Sequence, residues 1–148
     1  MHGNMYLRFG AMTVLSFIAM YILMYAMVDR FENVFPNTNQ IYMAGLMTAP
    51  MVIFELALMG AMYRNRAANI AIYAVCVIAL VGFWAAIRTQ AAIGDTQFLK
   101  SMIPHHAGAV LMCERAPLRD PEIKALCATI IKGQNEEIAL MRKLLETR

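Results

Sequence analysis

The chain has 148 residues, of which 60% are hydrophobic and only 16% charged, whereas a soluble domain usually carries about a quarter charged residues. Thirteen basic and ten acidic side chains leave a net charge of +3, too small and too scattered for a nucleic-acid footprint. The length excludes a large multidomain enzyme, and the composition is that of a membrane protein.

Three long apolar runs occupy the first part of the chain. Phe9 to Val28 is uncharged and closes at Asp29-Arg30. Ile41 to Tyr63 carries a single charge, Glu55, and stops at Arg64-Asn65-Arg66. Ile70 to Ile87 is uncharged and stops at Arg88, beyond which Ala91, Ala92 and Ile93 can extend it. At 1.5 Å rise per residue, about 20 residues cross a hydrocarbon core of about 30 Å. A chain in lipid must satisfy its backbone groups within the segment, so each run is expected to be a transmembrane helix. The first run is longer than a signal-peptide core and ends without a small-x-small site, which favours an uncleaved anchor.

Basic residues near the helix ends set the orientation. Arg8 and the Arg64/Arg66 loop lie on one side, and the first loop, where Asp29 and Glu32 offset Arg30, lies with the tail on the other. This predicts a cytoplasmic amino terminus and a tail outside the cytoplasm, periplasmic if the cell is a Gram-negative bacterium.

From Gly94 the composition changes. Nine of the 13 basic and seven of the 10 acidic residues fall within residues 88–148. Asp95 or Thr96 is placed to cap a helix running towards Ala116. Asp120-Pro121 suits the N-cap and first position of a second helix reaching about Glu146. Its apolar positions, among them Ile123, Leu126, Ile130, Ile138 and Met141, recur at three- and four-residue steps. The expected fold is all-α: a three-helix membrane region over residues 1–93 (spans near 9–28, 41–63 and 70–87) and a helical hairpin over 94–148.

The first tail helix concentrates the chemistry. Met102, His105, His106, Ala109, Met112 and Cys113 stand at spacings of three or four, so they share one side of a helix. Gln134, Ile138 and Met141 form a similar stripe on the second. An antiparallel fold about Leu118-Arg119 sets Met102 and His106 near that stripe and Cys113 near Cys127. Thioethers favour Cu(I), and imidazole accepts either copper oxidation state. A methionine stripe is also ordinary core packing, and adjacent histidines point about 100° apart on a helix. Spacing therefore leaves both readings open. Cys113 and Cys127 can form a disulfide outside the cytoplasm, remain core thiols, or ligate metal. Pro104 removes a helical hydrogen bond, so the helix is expected to kink there, restart with Ser101 as cap, or begin with the proline in its first turn.

The segment Phe98-Leu99-Lys100-Ser101-Met102-Ile103-Pro104-His105-His106-Ala107-Gly108-Ala109, followed by Met112, resembles the bacterial domain of unknown function 305 family with its M-I-P-H-H-x-G-A core. Asp120-Pro121-Glu122-Ile123 and the stretch from Gln134 to Met141 resemble its second helix. The resemblance covers about residues 95–146 and leaves the membrane helices outside it. It implies half of a ferritin-like four-helix bundle, completed by a homodimer or higher homo-oligomer. It also implies copper binding and tolerance, with Met102, His105, His106, Met112 and Met141 as candidate ligands. Ser101 stands where many relatives have a further methionine.

In the membrane region, Met43, Met47, Met51, Glu55, Met59 and Met62 form a ridge along the second run. A carboxylate in a span usually has a partner or a task. The ridge is therefore either gap-filling between helices or a path for a soft cation. No spacing assembles a Ser-His-Asp set, a phosphate loop, a CxxC or an HExxH motif, so no enzyme is expected. The sequence points to a bacterial inner-membrane protein that binds Cu(I) through its tail. A structural, self-associating protein without metal is the second reading, and a ferritin-like metal oxidase or transporter the third.

Overall fold

A computed structural model describes residues 3–148. It is all-α, with five helices and no strand among the described residues: α1 (Gly3–Leu23), α2 (Thr38–Leu58), α3 (Arg66–Thr89), α4 (Asp95–Arg115) and α5 (Pro121–Glu146). Three segments are long and apolar enough to cross a membrane, Met5–Met27, Thr38–Leu58 and Arg66–Thr89. The first includes a tight 3-10 turn, Met24–Met27, that continues α1.

The helix ends have local causes. Asn65 caps α3 by accepting a hydrogen bond from the Ala68 amide at 3.1 Å. Gln90, at φ 51°, and Ala92, at φ 56°, take left-handed backbone, so α3 stops at Thr89 and Ala91 to Ile93 do not extend it. Asp120 caps α5 through the amides of Glu122 and Ile123 at 2.8 and 3.2 Å, with Pro121 in the first turn. The cap of α4 is Gly94, not Asp95 or Thr96. Asp95 instead lies in the first turn, where a negative charge suits the helix dipole, and pairs with Arg148. Helix α4 runs unbroken through Pro104. No helix restarts at Ser101, whose hydroxyl donates to the Phe98 carbonyl at 2.9 Å.

The chain forms two compact units, and they are not two consecutive segments. One consists of α1 with Asn39–Ala91; the other joins Met24–Thr38 to Ala92–Arg148. The expected division at residue 93 therefore misplaces the connection between α1 and α2, which packs with the hairpin.

In the membrane unit, α2 buries Ala44, Gly45, Thr48, Ala49, Val52 and Leu56. Small residues let helices approach closely in lipid, and a side chain on Gly45 would run into the Phe83 ring of α3. Phe9, Val52, Leu56, Tyr63 and Cys76 form the core of this unit. Near it the Tyr6 hydroxyl donates to Asn69 Oδ1 at 2.9 Å, while Asn69 donates to the Tyr63 carbonyl at 2.7 Å.

In the second unit α4 is covered from two directions. Leu99, Ile103 and Ala107 pack with Ile138 and Met141 of α5, joined by Val28 and Phe35 from the loop. On the loop side, Gly108 lies so close to the Met27 carbonyl that a Cβ would stand 3.4 Å from it, and a larger side chain would be driven into the backbone. Arg142 of α5 donates to the Glu32 carbonyl and to Asn33 Oδ1, both at 2.7 Å. Its guanidinium also sits 5.9 Å from the Phe35 ring centroid. Asn33 in turn donates to Asp29 at 2.6 Å, and the loop joins α4 where Thr38 donates to Gln97 Oε1 at 3.0 Å.

Ile103 is 0% exposed at the centre of this packing. Ile103→Ala should destabilise the second unit by about 2–5 kcal/mol and leave the membrane helices folded. Hydrogen exchange of the full chain in detergent should show faster exchange across α4, α5 and residues 28–37, with α2 unchanged.

Candidate functional site

The buried face of α4 is Leu99, Ile103, Ala107 and Val110, with Pro104 and Gly108 turned to the loop. The Met/His stripe is therefore not the inward face. Its members divide. Met102 is half-buried and packs against the cluster that contains Met141, His105 and Met112 are exposed, and His106 lies at the seam between α4 and α5. The physical reason is that larger aliphatic side chains fill the space between α5 and the loop, which turns the softer residues to the edge.

His106 is held at both ring nitrogens. Nδ1 lies 2.8 Å from the Met102 carbonyl oxygen, and Nε2 lies 2.7 Å from Glu137 Oε2. A carbonyl oxygen can only accept, so Nδ1 carries a proton. The Glu137 side chain is 58% exposed and that of His106 12% exposed, so the ring bridges α4 and α5 from a largely covered position. Both ring nitrogens are engaged, and neither is open to a metal until the Glu137 contact opens. The Glu137 partner was not anticipated from sequence, although its position beside Ile138 on the facing helix was the available signal.

His105 points elsewhere, its ring centroid 6.1 Å from that of His106 at an interplanar angle of 67°. Among the described residues no group of three or more His, Cys, Asp or Glu side chains is arranged to hold a metal ion. Soft donors remain on the outer edge of α4, where Phe98, Met102, His105, Ala109 and Met112 follow at four- and three-residue steps. Met102 and His105 are one turn apart, whereas Met112 is about 10 Å further along the axis than His105. One ion can thus use Met102 with His105 far more readily than all three.

Cys113 and Cys127 are joined by a disulfide, with a Cα–Cα distance of 5.2 Å. It closes the turn end of the hairpin, and a loop of about this size gives roughly 3 kcal/mol of stabilisation on chain-entropy grounds. In the membrane unit, Glu55 accepts from the Tyr63 hydroxyl at 3.4 Å. Met43, Met47, Met59 and Met62 are exposed, whereas Met51 packs against the core of this unit, so the ridge does not form one continuous inward path.

The model of the family described as "Domain of unknown function (DUF305)" matches residues 85–148, which takes in the end of α3 together with α4 and α5. A protein of Acanthamoeba polyphaga mimivirus, "Uncharacterized protein L153", is 34% identical over 140 residues, covering 93% of this chain and 90% of that protein. The chain belongs to the DUF305 family. Similarity to the viral protein extends through the membrane helices as well as the DUF305 hairpin. No solved structure matches the chain.

Glu137→Gln should loosen the DUF305 hairpin. A charge-assisted hydrogen bond contributes about 1.5–3 kcal/mol, but the exposed carboxylate is screened by solvent, so a loss of about 1 kcal/mol is expected. A double-mutant cycle with His106→Gln, read by thermal unfolding of the full chain in detergent, should show the two losses to be non-additive. Additive losses would show that the bridge is not formed.

Proposed function

We propose that this is a membrane-anchored protein whose hairpin, outside the cytoplasm, binds a soft monovalent cation, Cu(I), for sequestration or tolerance. The observation that carries the reading is the exposed His105 imidazole one helical turn from Met102. Imidazole with thioether suits Cu(I) and adds little for Zn(II). Met102 packs against the cluster that contains Met141, and His106, next to His105 on the same helix, can join the pair once Glu137 releases the ring. Metal needs an unprotonated nitrogen, so protons compete and binding weakens in acid. Met112, a candidate ligand by resemblance, is exposed two turns further along α4 and is not needed for this pair to hold an ion.

A specific observation also favours a second reading, self-association without metal. Phe98, Met112, Ile123, Leu126 and Leu140 are exposed on the hairpin, and a second copy of this chain would bury them in a four-helix bundle. In that arrangement the His105-His106 pairs of the two copies approach the two-fold axis.

Ag(I), which mimics Cu(I) without needing a reductant, separates these readings in the full chain in detergent. Wild type should bind it in preference to Zn(II). His105→Ala should weaken binding roughly tenfold or more, the scale on which metal sites respond even to loss of supporting groups. Met102→Leu keeps the packing volume and removes the donor, so it should weaken binding without lowering the melting temperature. Wild-type affinity in His105→Ala, or stable oligomers with no bound Ag(I), would favour the metal-free reading.

The topology is open to a separate check. The Arg64/Arg66 loop should be cytoplasmic, and a protease-sensitive tag after Arg148 should be cut from outside intact cells or spheroplasts. A protected tag would reverse the orientation.

A further inference from the structure

We propose that the Cys113–Cys127 disulfide is a redox-exchange site, attacked in the folded protein by a small dithiol, with Lys124 assisting departure of the leaving sulfur. Three observations lead there. A cleft of about 230 Å³ opens beside the bond, and both cysteines line it together with Lys124, Leu118 and Ile131. Both cysteines are half-buried, so the sulfurs are within reach of solvent in that cleft. The buried residues of α5 are Ile138 and Met141, at the far end of the helix from Cys127, so the disulfide is the chief tie holding the turn end of the hairpin together.

Lys124 precedes Cys127 by three residues, which places the two side chains on the same side of α5. A thiolate leaves a disulfide faster when its charge is stabilised, and a nearby ammonium does this. In the first step one thiolate of the dithiol attacks Cys113 Sγ. The S–S bond breaks, and Cys127 departs with the bonding pair as a thiolate beside Lys124. In the second, the other thiol of the reductant attacks its own sulfur in the mixed disulfide and releases Cys113. Two electrons and, through water, two protons pass from the dithiol to the cysteine pair, leaving two thiols and a cyclic disulfide. Opening the bond frees the first turns of α5 while the Ile103, Ile138 and Met141 packing holds the rest. The hairpin thereby acquires a reduced state with a loosened turn end. This is independent of the metal reading.

The test uses the full chain in detergent with dithiothreitol under native conditions, followed by alkylation and mass spectrometry. Cys113 and Cys127 should become alkylated without denaturant, while Cys76, a free and buried thiol of the membrane unit, reports global unfolding. Lys124→Gln should slow reduction by on the order of threefold, and Lys124→Arg should restore most of the rate. Reduction only at denaturant concentrations that also expose Cys76 would overturn the proposal, as would an unchanged rate in Lys124→Gln.

Discussion

Helix α4 is wedged between two partners from distant parts of the chain, and the rest of the second unit is arranged around that wedge. Ile103 and Ala107 lose all contact with solvent because α5 lies on one side and the residues after α1 on the other. Arg142 fastens the two partners to each other by donating to Glu32 and Asn33 of the loop. Without the loop, Gly108 would lose the cover of the Met27 carbonyl and the hairpin core would lose Val28 and Phe35 from its edge. A pair of short helices is marginal by itself, and here the connection between two membrane spans supplies the missing layer.

That packing decides the chemistry of the double histidine. One ring, His106, serves as a bridge to α5 through Glu137, and the other, His105, is left at the surface. The two adjacent rings therefore differ in availability: the exposed one has solvent around it, and the bridged one has both nitrogens engaged. The disulfide at the opposite end of α5 keeps the two helices in register whichever partner His106 has.

Much of the architecture was legible in the sequence. The three spans follow from long uncharged runs, because the thickness of hydrocarbon imposes a length requirement on each segment by itself. The start of α5 at Asp120-Pro121 was legible for a similar reason, as capping involves residues two or three apart. The pairing of Cys113 with Cys127 lay among the open alternatives, since antiparallel folding brings them close but does not choose between bond, thiol and ligand. The helix towards Ala116 was legible, but its cap was not. Asp95 is drawn to Arg148 across the open end of the hairpin, and the buried surroundings of Pro104 hold its turn in place.

Sequence alone determined the helix number, the three segments long and apolar enough to cross a membrane, and the position of the hairpin, each of which depends on neighbours a few residues away. Only the tertiary structure decided which side of α4 is inside. Apolar residues spread over about half the circumference of that helix, at Phe98, Leu99, Met102, Ile103, Val110 and Met112, so its periodicity does not choose between the aliphatic and the methionine edge of that sector. The choice is made by the space left between α5 and the α1–α2 loop, some seventy residues earlier in the chain. Aliphatic side chains without polar atoms fill that space with the least desolvation cost, and the histidines are left to the edge.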